Sequence, residues 1–225
     1  MRSFYAGFLG PLQRLPMPVV CAVNGYVETA TRLSASDRRR DSRAHAHAGS
    51  PVHALYLLPL PLFFFFSRHA IGAAFALAMA ADIRVISETA KCSVNFTQLG
   101  LHPGMGATFT FPKTVRREVS NYMLLTGRQV LGTEALELGL CLKAVPALSV
   151  VPVATSIARD IASNGKLAVR QTKESLDSQF REGMGRQLRR EADAQAVSYV
   201  GPDFQGRITA LIAKTIGKSK PKAKL

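Results

Sequence analysis

The segment Ala70–Ala81 has the residue types best suited to presenting backbone groups to a ligand. Its sequence, AIGAAFALAMAA, predicts a tightly packed helix that begins near Gly72. The first N–H groups of a helix have no partner within it, and the helix dipole places positive partial charge there. Small side chains at Gly72, Ala73 and Ala74 would let a ligand approach these donors closely. The alternative is that they only allow close helix packing.

A titratable side chain, His102, lies in the segment LGLHPGMGAT (Leu99–Thr108). The glycines and the proline of this segment predict a loop. The intrinsic pKa of histidine suits a general base near neutral pH, so His102 is a candidate catalytic residue. The alternative is a histidine that packs the loop against its neighbours.

The composition of the 225 residues predicts one folded α/β domain. Hydrophobic residues make up 47% and charged residues 20%, which excludes an intrinsically disordered chain. The three cysteines are far apart in sequence and indicate a reducing compartment rather than a disulfide framework or a metal site. The histidines at positions 45, 47 and 53 do not predict a metal site either.

The net charge of +14 is concentrated in an arginine block at residues 38–43 and a lysine-rich tail at residues 214–224. A basic protein that binds nucleic acid or a membrane surface is one interpretation. No sequence pattern of a nucleic-acid-binding module accompanies the charge, so nucleic acid is not the expected partner. The apolar segment Val52–Phe66 is shorter than the roughly 20 residues that span a bilayer.

Hydrophobic runs predict three buried strands, at Val19–Val23, Asp82–Ile86 and around Cys141–Val145. Thr133 is expected to cap a helix that ends at Gly139. Further helices are predicted at residues 4–15, 115–125, 151–163, 166–180, 183–200 and about 202–216. In contrast, Tyr26–Arg68 has no helical or strand periodicity.

Several segments, in this order, resemble the crotonase (enoyl-CoA hydratase/isomerase) superfamily. They are MPVVCAVNG, HAIGAAFALAMAADIRV, LGLHPGMGAT, LLTGRQVLGTEALELGLCLKAVP, AVRQTKESL and EADAQAVS. They cover most of the chain outside Tyr26–Arg68. The resemblance implies an α/β crotonase-like (ClpP/crotonase) fold with parallel strands, followed by an α-helical C-terminal region.

The resemblance also implies a division of the chain. Residues 1–145 would form a partial crotonase core, with residues 26–68 as a non-homologous insert. Residues 146–217 would form a helical trimerisation region, and residues 218–225 a basic tail. A homotrimer or a hexamer is the expected assembly.

The resemblance further implies an acyl-CoA substrate whose enolate oxygen is stabilised by two backbone N–H groups. Ala73 matches the second donor of the family. Coenzyme A would enter as part of the substrate, with no separate cofactor and no metal. The residues expected to line the substrate site are Ala70, Gly72, Ala74, Phe96, Leu99, Gly100 and Gly104.

The family's catalytic acids have no counterpart in this chain. Hydratases of the family use two glutamates, and the matching positions are Ala76 and Phe96, which cannot transfer a proton. The nearest carboxylates in sequence have other expected roles: Asp82 matches a structural position of the family, and Glu88 lies in a predicted surface turn.

We expect enoyl-CoA hydratase/isomerase-like activity, and the alternative is a non-catalytic protein that binds CoA or builds an oligomer. Cations available for the CoA phosphates are Arg84, Lys91 and Arg128.

Removing Tyr26–Arg68 joins the flanking segments into VCAVNGHAIGAAFALAMAADIRV, which is continuous with the family pattern. Codons for Gly25-Tyr26-Val27 can contain the intron start GTATGT, and the phenylalanine codons before Ser67 form a pyrimidine tract. We hypothesise that residues 26–68 are a retained intron translated in frame; the alternative is a genuine loop, although one of unusual length. FYAGFLG, at residues 4–10, is similar to the family's F-x-A-G-x-D loop, which carries the first donor, but no acid follows it. Its leucine and phenylalanine periodicity fits the helix after that loop, so we expect the chain to start late, without the first donor.

The chain ends in Ala223-Lys224-Leu225, a variant of the peroxisomal Ser-Lys-Leu address. This tripeptide predicts a peroxisomal protein that binds the import receptor, with the cytoplasm or the mitochondrion as alternatives.

Overall fold

The computed structural model describes residues 15–24, 52–55, 62–66 and 69–218. Side chains are described except in the segments 52–55 and 62–66, at residue 179 and in residues 214–218. The helix predicted at residues 4–15, the arginine block, the histidines before residue 50 and the last tripeptide lie outside the described residues.

The central element is a five-stranded sheet that is mostly parallel. Its strands are β1 Val19–Val23, β2 Val52–Leu55, β3 Leu62–Phe66, β5 Ile83–Ser87 and β8 Lys143–Val145. Neighbouring strands run in the order β2, β3, β1, β5 and β8, and only β2 is antiparallel to its neighbour. The strands predicted at Val19–Val23, Asp82–Ile86 and around Cys141–Val145 are thus confirmed, and the structure adds that β1 and β5 are neighbours.

Strand β1 is buried on both faces, as a strand in the middle of a parallel sheet should be. Because side chains alternate along a strand, Cys21 packs into the larger hydrophobic cluster on one face and Ala22 into a smaller one on the other. Helix α5 (Val150–Ser163) covers the smaller cluster through Ala154 and Ala158. The sheet thus separates two apolar layers.

A small second sheet holds the turn with which the sequence analysis began. Strand β4 (Ala70–Ile71) runs parallel to β6 (Lys91–Ser93), and β6 is antiparallel to β7 (Val130–Leu131). Helix α1 (Ala73–Met79) begins one residue after Gly72. The second sheet therefore determines where α1 begins.

The remaining helices are α2 Ala107–Thr114, α3 Arg117–Thr126, α4 Gly132–Glu137, α6 Lys166–Val200 and α7 Pro202–Lys218, with short 3₁₀ turns at Thr97–Leu99 (η1) and Ala147–Ser149 (η2). All of these helices except α2 were predicted from the sequence. None of the described helices is long and apolar enough to cross a membrane.

Two details of the helix prediction are wrong. Thr133 lies inside α4, whose N-cap is Leu131, because Gly132 packs directly on the carbonyl of Ser87 and starts the helix earlier. The helices expected on either side of Gly183 form the single helix α6. Gly183 does not interrupt this helix; a side chain there would collide with the ring of Phe109.

The segment predicted to lack periodicity contributes strands β2 and β3. The backbone of β3 pairs with β1 in register from Val19 with Leu62 to Val23 with Phe66. The sequence analysis had predicted no strands there.

Candidate functional site

The site is built where strands β4 and β6 end side by side. Parallel strands place their carboxyl ends at the same edge of a sheet, and ligand sites of α/β proteins favour that edge. Gly72 follows β4, and its N–H donates to the carbonyl of Ser93 at the end of β6, with an N···O distance of 2.7 Å. The turn before α1 is thereby fixed against β6.

Gly72 adopts a conformation that requires glycine, with φ 63° and ψ −123°. A Cβ at this position would lie 3.2 Å from Oδ1 of Asn95. The following residue, Ala73, is exposed, whereas Phe75–Met79 are buried. Because Ala73 is the first residue of α1, its N–H has no acceptor within the helix. The turn thus leaves Ala73 exposed and anchors the rest of α1 in the core.

The residues after β6 are fixed against the end of α3. The hydroxyl of Ser93 donates to the carbonyl of Gly127 at 2.8 Å, and that of Thr97 donates to Leu124 at 3.2 Å. Gly127 has φ 61°, and a Cβ there would lie 3.0 Å from Cα of Asn95. The close approach keeps the residues around Asn95 beside the Gly72 turn.

The two positions that match the family's catalytic acids are apolar and packed. Ala76 is fully buried in the core, and Phe96 is partly buried against the same hydrophobic cluster. Asp82 accepts a hydrogen bond from the N–H of Val19 at 2.7 Å and forms an ion pair with Lys173 at 2.6 Å, so it has a structural role. Glu88 lies in the turn after β5.

His102 contacts helix α6. Its N–H donates to the hydroxyl of Ser198 at 3.1 Å, and its carbonyl accepts from the amide of Gln195 at 2.9 Å. The ring Nδ1 lies 2.6 Å from the carbonyl oxygen of Pro103. The side chain borders a depression of about 490 Å³ on the surface of α6. These contacts support loop packing and leave the general-base role a prediction.

The other residues expected at the substrate site differ in exposure. Ala70 and Gly104 are buried, whereas Ala74, Leu99 and Gly100 are partly exposed. Gly100 has φ 74°, and a Cβ there would lie 2.8 Å from the backbone nitrogen of Phe204. Helix α7 therefore packs directly on the segment that follows η1.

Glu191, a fully buried carboxyl group, was not predicted from the sequence as a site residue. Its oxygens accept hydrogen bonds from the N–H of Gly106 at 2.7 Å, and from the N–H and hydroxyl of Thr108 at 2.8 and 2.5 Å. Burial raises the pKa of Glu191, and these hydrogen bonds oppose that increase. Glu191 is the first residue of the EADAQAVS segment, but the periodicity of a predicted helix does not show whether an acidic residue is buried or exposed.

Of the three cations considered for phosphate binding, Arg84 is buried. Its guanidinium donates to the carbonyls of Leu140 and Ala81, so it is not available to a ligand. Lys91 is exposed, and Arg128 is also exposed, where it contacts Tyr122 and Glu134.

The three cysteines are buried and reduced. Burial raises the pKa of Cys21 to about 12 and that of Cys141 to about 11, while the nearby Arg84 opposes the increase. Burial also raises the pKa of Cys92. Within the described residues, no group of three or more histidine, cysteine or acidic side chains could hold a metal ion.

The family model for enoyl-CoA hydratase/isomerase matches residues 31–210. The chain is 31% identical over 145 residues to a crotonyl-CoA hydratase of Syntrophomonas wolfei, covering 64% of this chain and 56% of that protein. It is 26% identical over 152 residues to a bacillaene synthase decarboxylase of Bacillus subtilis, covering 68% and 61%. The chain spans about half the length of the curated relatives it matches.

The fold is similar to that of solved structures. An enoyl-CoA hydratase/isomerase from Pseudoalteromonas atlantica superimposes with a TM-score of 0.68 at 21% identity, covering 95% of this chain and 86% of that one. This similarity confirms the crotonase-like α/β fold expected from the sequence.

Proposed function

Because the chain belongs to the enoyl-CoA hydratase/isomerase family, we propose that it acts on an acyl-CoA thioester and stabilises the enolate oxygen with the N–H of Ala73. Fixed N–H donors lower the energy of an oxygen on which negative charge develops. Coenzyme A enters as part of the substrate rather than as a separate cofactor.

The turn at Gly72 is the observation that supports this role. The glycine conformation of Gly72 and its hydrogen bond to Ser93 hold the first residue of α1 in one position. A donor that is fixed before the substrate arrives needs no reorganisation during the reaction. Ala73 is exposed, and a thioester carbonyl would bind beside its N–H.

Replacing Ala73 with proline tests the proposal directly. Proline is well tolerated at the first position of a helix and removes only the N–H. We expect kcat/KM for crotonyl-CoA to fall about 100-fold or more, as for other lost oxyanion donors. The control Ala73→Gly keeps the N–H and should retain activity. Equal activity of the proline variant would exclude the role of Ala73.

Decarboxylation is a second candidate reaction, favoured by the apolar residues Ala76 and Phe96. When a carboxylate on C2 of a thioester leaves as CO₂, the electrons of the broken C–C bond form the enolate, so no base is required. Water then donates a proton to C2. A similar relative is a decarboxylase, and the N–H of Ala73 would stabilise the same enolate.

Two substrates separate the candidates. Turnover of crotonyl-CoA supports hydration, and CO₂ release from methylmalonyl-CoA supports decarboxylation. Binding of both without turnover supports the non-catalytic alternative. Strongly salt-dependent binding to a polynucleotide, without CoA binding, would instead favour the basic-surface interpretation.

We propose a homotrimer or hexamer assembled through the C-terminal helices. Their exposed apolar side chains support an interface: Val197 and Val200 are 73% and 79% exposed, and Leu211 and Ile212 about half exposed. Light scattering on the purified protein tests this assembly. A monomer at micromolar concentration would exclude it.

We propose peroxisomal import through the Ala223-Lys224-Leu225 tripeptide. Its support is the sequence match together with the acyl-CoA family. A fluorescent protein fused ahead of the intact tail should enter peroxisomes, and removal of Leu225 should leave it diffuse. Diffuse signal from the intact tail would exclude this address.

For residues 26–68 we propose the retained-intron origin described above. The continuity of the flanking segments supports it. Transcript sequencing should find messages without these codons; their presence in every mature message would exclude this origin.

A further inference from the structure

Helix α6 carries a row of polar side chains that faces the loop between η1 and α2. Glu191, Gln195 and Ser198 are separated by four and three residues, so they lie on one face of the helix. Glu191 accepts hydrogen bonds from the N–H groups of Gly106 and Thr108. Ser198 accepts from the N–H of His102, and Gln195 donates to the carbonyl of His102. We call these three side chains the loop clamp.

The loop that they hold contains an unfavourable backbone conformation. Met105 has φ 60°, and it is the one non-glycine residue with a positive φ in the described part of the chain. Such a conformation persists only where surrounding contacts enforce it, and these positions cluster at functional sites. Gly106, the next residue, is bound directly by Glu191.

Burying Glu191 is itself unfavourable. The side chain is fully buried, and a charge interaction with His102 favours its ionised form less than burial opposes it. A buried carboxyl group needs hydrogen bonds to compensate for its lost hydration, and those of Glu191 go to the start of α2. Gln187 adds to this group by donating to the hydroxyl of Thr108.

We propose that Glu191 is a positioning residue for acyl-CoA binding, which it supports by fixing the loop 99–106. This inference rests on the proposed function, because Leu99, Gly100 and Gly104 are the loop residues expected to contact the substrate. Glu191 acts through the loop and does not contact the substrate. Gln195 and Ser198 hold the same loop at His102.

The role predicts a specific pattern of kinetic changes. Glu191→Gln keeps the size of the side chain but replaces one acceptor oxygen with a donor group that faces the N–H groups of α2. The donor at Ala73 lies on another element and stays in place. We therefore expect the dissociation constant of octanoyl-CoA and the KM of crotonyl-CoA to rise about tenfold, with kcat changed less than about threefold.

The test compares wild type, Glu191→Gln and the control Glu182→Gln, an exposed position on the same helix. Calorimetry with octanoyl-CoA gives the dissociation constant and the folded fraction, and hydrogen exchange reports on peptides covering residues 99–108. In Glu191→Gln, faster exchange together with weaker binding supports the proposal. Faster exchange with a dissociation constant within twofold of wild type would show a purely structural role and overturn it.

A milder variant guards against loss of folding. Ser198→Ala removes only the acceptor of the His102 N–H, and we expect about a threefold weaker affinity for octanoyl-CoA. Unchanged affinity in Ser198→Ala, when Glu191→Gln does not fold, would also overturn the proposal. If wild type itself does not bind octanoyl-CoA, the proposed function fails, and the role of Glu191 fails with it. If wild type binds and the variants bind equally well, only the role of Glu191 fails.

Discussion

The turn around Gly72 and the clamp on α6 hold neighbouring parts of the chain by different means. At the turn, glycines and backbone groups make the contacts, as in the bond from Gly72 to Ser93. At the clamp, long side chains such as Glu191 reach residues more than 80 positions away in sequence. The first region depends on the absence of side chains, and the second on their presence.

This contrast between backbone contacts and side-chain contacts predicts how each region responds to substitution. Where two backbones are in contact, an added methyl group has no space, and the backbone itself must move. Where side chains bridge a gap, conservative replacement weakens one bond and leaves the backbones in place. Substitutions of glycines that pack against another backbone segment should therefore cost the most stability.

The largest effect is expected for Gly132→Ala. A Cβ at Gly132 would overlap the carbonyl of Ser87, and neither backbone can move freely inside the core. We expect the free energy of unfolding to fall by about 3 kcal/mol or more, measured by urea denaturation. Gly165→Ala is the control, since its Cβ would meet nothing within 4 Å. Equal stability of the two variants would break the comparison.

A smaller effect is expected at a side-chain contact between the residue before β5 and helix α6. Asp82→Asn weakens the ion pair with Lys173, whose side chain is only 11% exposed, and retains an oxygen for the N–H of Val19. We expect a loss of about 1–2 kcal/mol in thermal or urea unfolding. Glu174 pairs with Arg181 and its side chain is 64% exposed, so Glu174→Gln should cost less than about 0.5 kcal/mol. A reversed order of these two costs would contradict the prediction.

The pH dependence of the clamp follows from the raised pKa of Glu191. Because the folded state favours the protonated carboxyl group, its contribution to stability is fully present below the usual glutamate pKa and is lost as pH rises through the raised pKa. The stability of wild type minus that of Glu191→Gln should therefore fall as pH rises over this window. Urea unfolding at a series of pH values measures it. If the stability of wild type relative to Glu191→Gln increased with pH, the predicted direction would be wrong.

The smallest effect is a gain. Gly206 lies inside α7, where a Cβ would meet nothing within 4 Å. Alanine restricts the unfolded chain and favours the helix, so Gly206→Ala should stabilise the protein by about 0.5–1 kcal/mol. A rise in Tm is the expected readout, and a fall would show an unrecognised contact of α7.

Sequence patterns predicted the elements whose periodicity is local. The run Val19–Val23 is a strand because its residues are apolar on both faces, and α1 begins after Gly72 because small residues and glycine define its start. The family resemblance rested on these same local segments. It correctly indicated the fold and the family.

Contacts between distant residues could not be predicted in this way. Glu191 looks like any helical acid in the sequence, and only the fold shows that it is buried against α2. A second helix was predicted to begin at Gly183, whereas Gly183 lies within one continuous helix, where it packs against the ring of Phe109. In both cases the partner lies many residues away, so no local pattern reveals it.

The three buried thiols give the protein an internal reporter of unfolding. Since alkylating reagents attack the thiolate, the raised pKa values and complete burial of Cys21 and Cys92 should leave both unreactive in the folded chain. Labelling of Cys21 would then report local unfolding of the central sheet, and labelling of Cys92 would report local unfolding of the small sheet beside Gly72. Mass spectrometry of labelled peptides would compare the opening of the two sheets in a single sample.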